Sequence, residues 1–455
     1  MKRLLIKKVF VLFLTLNSLL ATVLSQSPGR AESISPSLVS AAGQNLSDSS
    51  LLDLVQKQTF KYFWDFADPV SGLARERSNE SFNYGKEVVT IGGSGFGVMA
   101  IVVATSRNWI TRDTAVGHLL KMVNFLQRAN SYHGIFPHWM NGGTGVTIPF
   151  GRKDDGADLV ETSYLFEGLL AARQYFNAGT KRERELRSRI NWLWEAAEWN
   201  WHTQGGRNVL YWHWSPNNGW SMNFEIRGWN ECLITYLIAA SSPTYSIPAT
   251  VYHQGWAEGR NFKNGKEYYG IPLPLGFDYG GPLFFVHYSF LGIDPHGLKD
   301  RYADYWQQNL NQVRINYKYC VLNPHHYKGY GPDCWGLTAS DNFEGYNAHS
   351  PTNDLGVITP TAALSSFPYT PDYSMKALRH FYVDLGDKIW GDYGFKDSFS
   401  EQKNWWANSY LAIDEGPIVG MIENYRSGLL WKLFMSCPEI QNGLRKLDFE
   451  SPWLK

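Results

Sequence analysis

Residues 98–105 read VMAIVVAT, an apolar run that would leave a helix without a polar face. Residues 165–176 (LFEGLLAARQYF) and 233–240 (LITYLIAA) have the same character, whereas residues 181–202 carry charges on one helical face and apolar side chains on the other. A helix that is apolar all round is buried, and an amphipathic helix lies at the surface. Alternation of the two kinds predicts an all-α fold, an (α/α)6 toroid in which outer helices surround inner ones.

Twelve helical segments, separated by loops rich in Gly, Pro and Asn, fit this pattern. The predicted helices are 50–67, 94–107, 112–129, 158–177, 181–202, 227–240, 248–258, 282–291, 298–317, 353–365, 372–385 and 415–434. The six inner helices of a toroid run parallel, so we expect their N-termini to form one rim and that rim to be the active face. No linker-like stretch interrupts residues 49–455, which favours a single domain. Scarce strand-like runs leave a mixed α/β fold as the minor alternative.

The N-terminus has the composition of an export signal. Residues 1–8 are basic and residues 9–24 are mainly apolar, which predicts a signal peptide over residues 1–25. Residues 26–48 are rich in Ser, Ala, Gly and Pro and predict a disordered leader. We therefore expect a periplasmic or secreted monomer without membrane contact after signal removal. An uncleaved membrane anchor is the alternative.

The composition argues for a neutral partner. The chain has 455 residues with 42 Lys+Arg and 42 Asp+Glu, and removal of residues 1–25 leaves 38 basic against 42 acidic residues. A slight acidic excess argues against nucleic acid, whose binding is driven by clustered cations. Trp, Tyr and Phe make up 15% of the chain, and such rings present flat apolar faces with polar edges. This predicts a cleft for an oligosaccharide or polysaccharide, with an aromatic-rich core as the alternative.

Cysteine and glycine patterns exclude several kinds of site. The four cysteines could include a Cys320–Cys334 disulfide or could all be buried thiols, and the sequence leaves both alternatives open. No CxxC occurs, and the histidines lack conventional metal-ligand spacing, so we expect no metal and no other cofactor. The glycine-rich run at 92–97 fits neither a dinucleotide fingerprint nor a phosphate-binding loop and predicts a close-packed turn into the second helix.

Acidic residues cluster at three predicted N-termini of inner helices. Asp158 and Glu161 lie in the first cluster, Glu231 in the second, and Asp414 with Glu415 in the third. Helix capping alone would also favour acids there. Inverting hydrolysis needs two carboxyl groups about 6.5–9.5 Å apart, on opposite sides of the bond, so the partners should come from different helices.

Roles follow from this geometry. We predict that Glu231 is the general acid and Asp414 the general base, with Glu415 as the alternative base. Because Asp158 and Glu161 are three residues apart, they share one helical face. We expect them to bind sugar hydroxyls and to raise the pKa of a neighbouring carboxyl. The candidate substrate-binding residues, taken from polar and aromatic loops, are Trp212, Trp214, Trp220, Arg227, Trp335, Asp341, Tyr346, His349 and Trp405.

Four motifs resemble a known family. They are DLVET at 158–162, GWNE at 228–231, CWGLTASD at 334–341 and MIENYR at 421–426. They are similar to the "putative glucoamylase" family, whose characterised members form glycoside hydrolase family 144, the bacterial endo-β-1,2-glucanases. The resemblance runs from about residue 51 to residue 438. It implies an (α/α)6 barrel and metal-independent, inverting cleavage of β-1,2-glucan to sophorooligosaccharides, with important acids at Asp158, Glu161, Glu231 and Asp414.

The sequence thus predicts an exported glycoside hydrolase that acts on a neutral β-glucan, with β-1,2-glucan as the first candidate. A glucoamylase-type enzyme on α-glucan, an exo-acting hydrolase and a non-catalytic sugar-binding toroid remain as alternatives. A polysaccharide lyase is disfavoured because uronate substrates need a basic cleft. Endo and exo cleavage stay open, because the loops at the rim decide whether the cleft is open at both ends.

Overall fold

The computed structural model describes residues 46–79 and 85–454. The predicted signal peptide and nearly all of the predicted leader lie outside these residues. The domain begins with Ser47, whose side chain caps the first helix by accepting a hydrogen bond from the Ser50 amide. None of the described helices has both the length and the hydropathy needed to cross a bilayer.

Thirteen α-helices lie in the described ranges. Their bounds are α1 Asp48–Trp64, α2 Ile91–Ser106, α3 Arg112–Leu126, α4 Leu159–Tyr175, α5 Lys181–Ala196, α6 Leu233–Ser241, α7 Tyr305–Leu322, α8 Pro360–Leu364, α9 Pro371–Arg379, α10 Gly386–Ile389, α11 Ala412–Ser427, α12 Leu429–Met435 and α13 Pro438–Lys446. Short π-helical turns at Val251–Trp256 and His380–Asp384 and a 3₁₀ turn at Leu283–Val286 complete the helical ring.

Burial separates inner from outer helices as the sequence predicts. Every residue of α6 is buried, and so are all residues of α2 and α4 except those in their last turn. The outer helix α5 buries only one side, which carries Leu186, Ile190, Leu193 and Trp194. The protein is an all-α (α/α)6 toroid, and the predicted fold class is confirmed.

The strands are short and lie in the loops between helices. They are β1 Val88–Thr90, β2 Trp139–Asn141, β3 Thr147–Ile148, β4 Ala157–Asp158, β5 His213–Trp214, β6 Lys263–Tyr268, β7 Ile271–Leu275, β8 Ala339–Asn342, β9 Gly345–Ala348, β10 Trp390–Gly391, β11 Gly394–Phe395, β12 Phe399–Ser400 and β13 Trp405–Trp406. All described pairings are antiparallel, in one three-stranded and five two-stranded sheets. Two strands matter for the site. Strand β4 pairs with β5 and sets Asp158 opposite His213, and β1 leads directly into α2.

Helix boundaries differ from the predictions where turn chemistry intervenes. The predicted helix 227–240 begins only at Leu233. Gly228 has a φ of +84°, and the Asn230 side chain accepts a hydrogen bond from the Cys232 amide, so the chain turns instead of continuing a helix. This turn places Glu231 ahead of the helix rather than inside it. The predicted helices 248–258 and 282–291 appear only as the short π and 3₁₀ turns, and α13 was not predicted.

The glycine-rich run 92–97 lies in the first turns of α2, as predicted. A Cβ atom on Gly95 would lie 2.1 Å from the Tyr164 carbonyl oxygen, and one on Gly168 would lie 2.1 Å from the Gly95 oxygen. These distances are far below van der Waals contact, so α2 and α4 can pack backbone to backbone only because both positions lack a side chain. All four cysteines are buried free thiols, which decides the open question of the disulfide.

We predict that Gly95→Ala destabilises the protein by at least about 1–3 kcal/mol, because its methyl group must push α2 away from α4. Denaturant unfolding followed by circular dichroism measures this loss. Gly143→Ala is the matched control, since its nearest neighbour is the Asn141 side-chain oxygen at 3.4 Å. Equal stability of the two variants would show that the helices do not depend on this close approach.

Candidate active site

A cavity of about 380 Å³ opens where the inner helices begin. Thr90 immediately precedes α2, Glu161 lies in the first turn of α4, Glu231 precedes α6, and Leu411 immediately precedes α11; all four line the cavity. Its aromatic and imidazole lining consists of His138, Trp139, Phe150, Tyr164, Trp212, Phe284, Tyr288 and Tyr346. The N-terminal ends of inner helices therefore meet at one site, as the sequence predicts.

Asp158 organises the wall of this cavity from behind. It is fully buried, and its Oδ1 accepts hydrogen bonds from the amides of Val160 and Glu161, which caps α4. The same oxygen accepts a third hydrogen bond, of 3.0 Å, from Nε1 of Trp212. Asp158 is not among the lining residues, so the structure gives it a positioning role and not the predicted contact with a sugar.

Two histidines neutralise Asp158. His138 Nδ1 lies 2.9 Å from Asp158 Oδ2, and His213 Nε2 lies 3.6 Å from the same oxygen and 3.1 Å from Asp154. Burial alone would raise the pKa of Asp158, but the hydrogen bonds from the two histidines outweigh it and hold that pKa below its usual range. Burial would lower the histidine pKa values, yet the surrounding carboxylates raise both to about 9. Both rings are therefore cationic at neutral pH.

Glu161 is held at the cavity surface by the start of α2. Its Oε2 accepts hydrogen bonds of 2.7 Å from the Gly92 amide and 3.2 Å from the Thr90 hydroxyl. Its other oxygen lies 4.0 Å from His138 Nε2. Burial raises the pKa of Glu161, with His138 acting against that rise. The carboxylate is thus fixed in place with one oxygen turned toward a cation.

Glu231 has the properties of a general acid. It lies in the turn before α6 and lines the cavity while retaining partial exposure to it. Burial raises its pKa to about 7, and the negative charges of Glu161 and Asp158 act in the same direction. A carboxyl group with this pKa is protonated in a large fraction of molecules near neutral pH, where it can give up its proton.

Asp414 and Glu415 lie in the first turn of α11 and are only 2% and 1% exposed. Neither carboxylate lines the cavity, although their neighbour Ile413 does. Both oxygens of Asp414 are buried and receive no hydrogen bond from an N–H or a hydroxyl group of the described residues; the neighbouring polar group is the Asp397 carboxyl. Burial and the nearby Asp397 raise the pKa of Asp414 well above its usual range, so Asp414 and Asp397 together hold a proton. The predicted base therefore lies directly behind the wall, one residue from the cavity.

A carboxylate and an arginine that the sequence did not single out also line the cavity. Arg77 Nε lies 2.9 Å from Glu76, and Arg77 Nη1 lies 3.0 Å from Asp341. Burial raises the pKa of Glu76, with Arg77 opposing that rise. Asp341 also accepts a hydrogen bond of 2.5 Å from the Ser409 hydroxyl. This network joins β8 to the segment before β1 and supplies the cavity with a cation.

Known proteins share this architecture and much of its sequence. A family described as "Glycoamylase: Putative glucoamylase" matches residues 223–438. The crystal structure of a "putative glucoamylase" from Bacteroides uniformis is 62% identical, with a TM-score of 0.89 over 90% of this chain and all of that one. The chain belongs to this glucoamylase-like family. The predicted resemblance of its motifs to the "putative glucoamylase" family is thereby confirmed.

Two relatives of the glucoamylase-like family have named activities. An endo-β-1,2-glucanase from Chitinophaga pinensis, solved with sophorotriose and glucose, is 59% identical, with a TM-score of 0.87 over 90% of this chain and all of that one. An exo β-1,2-glucooligosaccharide sophorohydrolase from Parabacteroides distasonis is 45% identical over 438 residues, or 92% of this chain. The chain spans 60% of the length of that sophorohydrolase.

The structure divides the predicted substrate-binding residues of this family member into three groups. Trp212 and Tyr346 line the cavity, and Tyr346 is 47% exposed. Asp341 and Trp405 instead line a second cavity, of about 340 Å³, together with Asn342 and Trp406. The remaining five predicted residues lie outside both linings.

These five residues have structural contacts instead. Trp335 is fully buried and donates a hydrogen bond to the Tyr373 carbonyl, and His349 is fully buried, where burial lowers its pKa to about 4. Arg227 is exposed and donates to the carbonyls of Gln254 and Gly255. Trp214 and Trp220 pack around the partly exposed Trp201. Aromatic residues near an acidic motif were thus a poor guide to which rings reach the cavity.

Sequence reasoning missed His138, Phe150 and Tyr288. Phe150 stacks on the His138 ring with centroids 4.1 Å apart and is 49% exposed, so it offers a free apolar face at the cavity. Tyr288 follows the 3₁₀ turn that replaces the predicted inner helix 282–291. The alternation of inner helices could have indicated Tyr288, whereas nothing local marks the other two.

One cluster at the site has the ligand types for a metal ion. Atoms of His138, Asp154 and Asp158 lie within 4.8 Å of one another. His138 and His213 already contact the carboxylates of Asp154 and Asp158, so the negative charges of this cluster are balanced by the two histidines. The arrangement serves as a charge network that fixes the first turn of α4.

We predict that the free energy of unfolding falls between pH 6.5 and about 9. His138 and His213 have folded-state pKa values raised from 6.5 to about 9, so their stabilisation is complete below 6.5 and lost as the pH passes 9. This difference corresponds to about 3 kcal/mol for each histidine as an upper bound. Asp158→Asn keeps the cap but removes the charge, and it should flatten this slope and lower stability at pH 6.

Denaturant titrations at several pH values measure the slope. Asp155→Asn is the matched control, because Asp155 lies on the same loop but bonds to Ser215 and Asn217. It should keep the wild-type slope. An Asp158→Asn variant that also kept it would contradict the assigned histidine charges.

Proposed function

We propose that this protein is a glycoside hydrolase that cleaves β-1,2-glucan with inversion of the anomeric centre. The observation that carries the proposal is Glu231, a carboxyl group at an aromatic cavity whose pKa burial raises to about 7. The named β-1,2-glucan activities of the C. pinensis and P. distasonis relatives support the substrate.

In the proposed reaction, Glu231 donates its proton to the glycosidic oxygen as the bond between this oxygen and the anomeric carbon breaks. Water attacks the same carbon from the opposite face, and a base takes one of the water's protons. The products are two shorter sugars, and the enzyme regains its starting state when the proton returns from the base to Glu231 through solvent. The cationic His138 lines the cavity, where its Nε2 can donate a hydrogen bond to a sugar hydroxyl, and Arg77 adds positive charge to the same lining.

We assign the base to Asp414, as its position on a different inner helix from Glu231 suggests. Buried carboxyl groups with strongly raised pKa values, such as Asp414 beside Asp397, are concentrated at functional sites. Asp414 is only 2% exposed and holds a proton in the free enzyme, so the assignment requires that substrate binding shift the wall formed by Ile413 and Tyr346, admit a water molecule and leave the proton on Asp397. Glu161, which already faces the cavity, is the competing base.

Endo cleavage is the mode we propose, because the endo-acting C. pinensis enzyme is 59% identical and matched over its whole chain. Exo release of sophorose is the second candidate, favoured by the P. distasonis relative.

We also propose export to the periplasm or the medium, which the basic and then apolar residues 1–25 support. Immunoblots of periplasm, medium and cytoplasm from the native host test the location.

The activity test is digestion of a panel of α- and β-glucans by the purified protein. We expect cleavage of β-1,2-glucan, a mixture of sophorooligosaccharide lengths from the start, and the α-anomer as the first new reducing end in proton NMR. Sophorose as the sole early product would establish exo cleavage instead. Cleavage of starch alone would refute the substrate, and an initial β-anomer would refute inversion.

We predict that Glu231→Gln lowers kcat by about 10²–10⁴-fold, because the amide cannot give a proton to the leaving oxygen. KM should change little, since the side chain keeps its shape. The wild-type kcat/KM should fall on the alkaline side with an apparent pKa near 7, and this dependence should vanish in the variant. Glu267→Gln, on the exposed hairpin strand β6, is the control with expected wild-type kinetics. Near-normal turnover by Glu231→Gln would exclude the acid assignment.

We predict different effects for the two candidate bases. Asp414→Asn should lower kcat by about 10²-fold or more and abolish the acidic limb of the pH–rate profile. Glu161→Gln should instead shift the alkaline limb to lower pH, because it removes a charge that raises the pKa of Glu231. Steady-state kinetics from pH 4 to 9 separate the two. If Glu161→Gln loses the acidic limb while Asp414→Asn retains it, Glu161 is the base.

A further inference from the structure

A second group of metal-ligand side chains lies apart from the cavity. Cys334, His380 and Glu401 each place one potential ligand atom within 4.8 Å of the other two. Cys334 follows a tight turn in which the amides and carbonyls of Gly331 and Cys334 pair. His380 follows α9, and Glu401 follows β12. None of the three lines the active-site cavity.

The chemistry of this set favours Zn²⁺. A thiolate, an imidazole and a carboxylate are all ligands that zinc accepts, whereas Ca²⁺ and Mg²⁺ prefer oxygen alone. Zinc–ligand bonds of about 2.0–2.3 Å place tetrahedral ligand atoms roughly 3.5 Å apart. The observed spread of at most 4.8 Å therefore needs a contraction of about 1 Å, which side-chain rotation can supply. Water would complete the fourth position.

The surroundings prepare the ligands. His380 Nδ1 lies 2.8 Å from Asp384 Oδ2, which leaves Nε2 for a metal, and such a carboxylate–histidine pair is the usual outer shell of a zinc ligand. The Glu401 carboxylate receives no hydrogen bond from the described residues, whereas its backbone carbonyl accepts one of 3.2 Å from the Asn404 amide. Gly329 has a φ of +94°, which favours glycine, and its Cα side faces a Glu401 carboxylate oxygen that an added Cβ would approach to 2.5 Å.

We propose that Cys334, His380 and Glu401 bind one zinc ion, with a water molecule in the fourth position. Binding replaces the Cys334 thiol proton, which leaves to solvent, with a sulfur–zinc bond. The ion would join three segments that are distant in sequence: the loop before Trp335, the end of α9, and the β12–β13 hairpin that carries Trp405 toward the second cavity. Cys334 is 1% exposed and the His380 side chain 20%, so the site is sheltered but has an open side.

The test uses the full chain, stripped with a chelator and then titrated with Zn²⁺ or Co²⁺. We expect one tightly bound ion per chain by mass spectrometry of the metal content and a near-ultraviolet thiolate-to-cobalt charge-transfer band. A 100-fold excess of Zn²⁺ over Kd should raise Tm by about 3 °C. Ca²⁺ and Mg²⁺ should give neither uptake nor a shift.

Variants locate the ion. Cys334→Ser should abolish the cobalt band, Glu401→Gln should weaken binding at least tenfold, and Asp384→Asn should weaken it about tenfold through the imidazole. Cys437→Ser is the control, because Cys437 is a buried thiol near Leu170 and Leu433. Wild-type protein without stoichiometric uptake would overturn the proposal. So would cobalt binding without a thiolate band, or binding lost in Asp154→Asn but kept in Cys334→Ser, since either places the ion at another site.

Discussion

The backbone contact between α2 and α4 is the constraint on which the site depends. Gly95 and Gly168 let the two inner helices approach until any added Cβ would meet backbone at 2.1 Å. This approach brings the Gly92 amide within 2.7 Å of Glu161 and fixes that carboxylate at the cavity. Helix packing at the centre of the toroid thereby determines where a negative charge stands beside Glu231.

Charge balance around the cavity follows from the same packing. Asp158 is buried and ionised because two cationic histidines and the first amides of α4 stabilise its charge. Burial raises the pKa of Glu231 to about 7, and Glu161 and Asp158 act in the same direction. Asp158 and Glu161 thus raise the pKa of Glu231. They position neighbouring groups, whereas Glu231 is the acid that reacts. This division of roles explains why Asp158 can be essential to the arrangement without touching a sugar.

Helical periodicity was enough to predict the toroid, and acids at inner helix starts were enough to predict that Asp158, Glu161 and Glu231 come together. These signals are local, because a run of apolar residues and an acid at the start of a helix can both be recognised within a short stretch of sequence. The predicted contacts of Trp335 and His349 were wrong because loop residues can turn into the core, which depends on tertiary packing. Phe150 and Arg77 were missed because loop residues can equally turn toward the cavity, which also depends on tertiary packing. The zinc ligands, drawn from three distant segments, have no spacing that sequence alone would reveal.

We expect Glu231 to lie at the bond to be cleaved, inside the cavity formed by the N-termini of the inner helices. A crystal structure of the Glu231→Gln variant with a β-1,2-linked glucooligosaccharide tests it most directly. We expect a sugar chain across the cavity, with a glycosidic oxygen within hydrogen-bond distance of the residue 231 amide and with Phe150 or Tyr346 against a sugar ring. A chain bound elsewhere, or one whose bonds all lie beyond reach of residue 231, would contradict it.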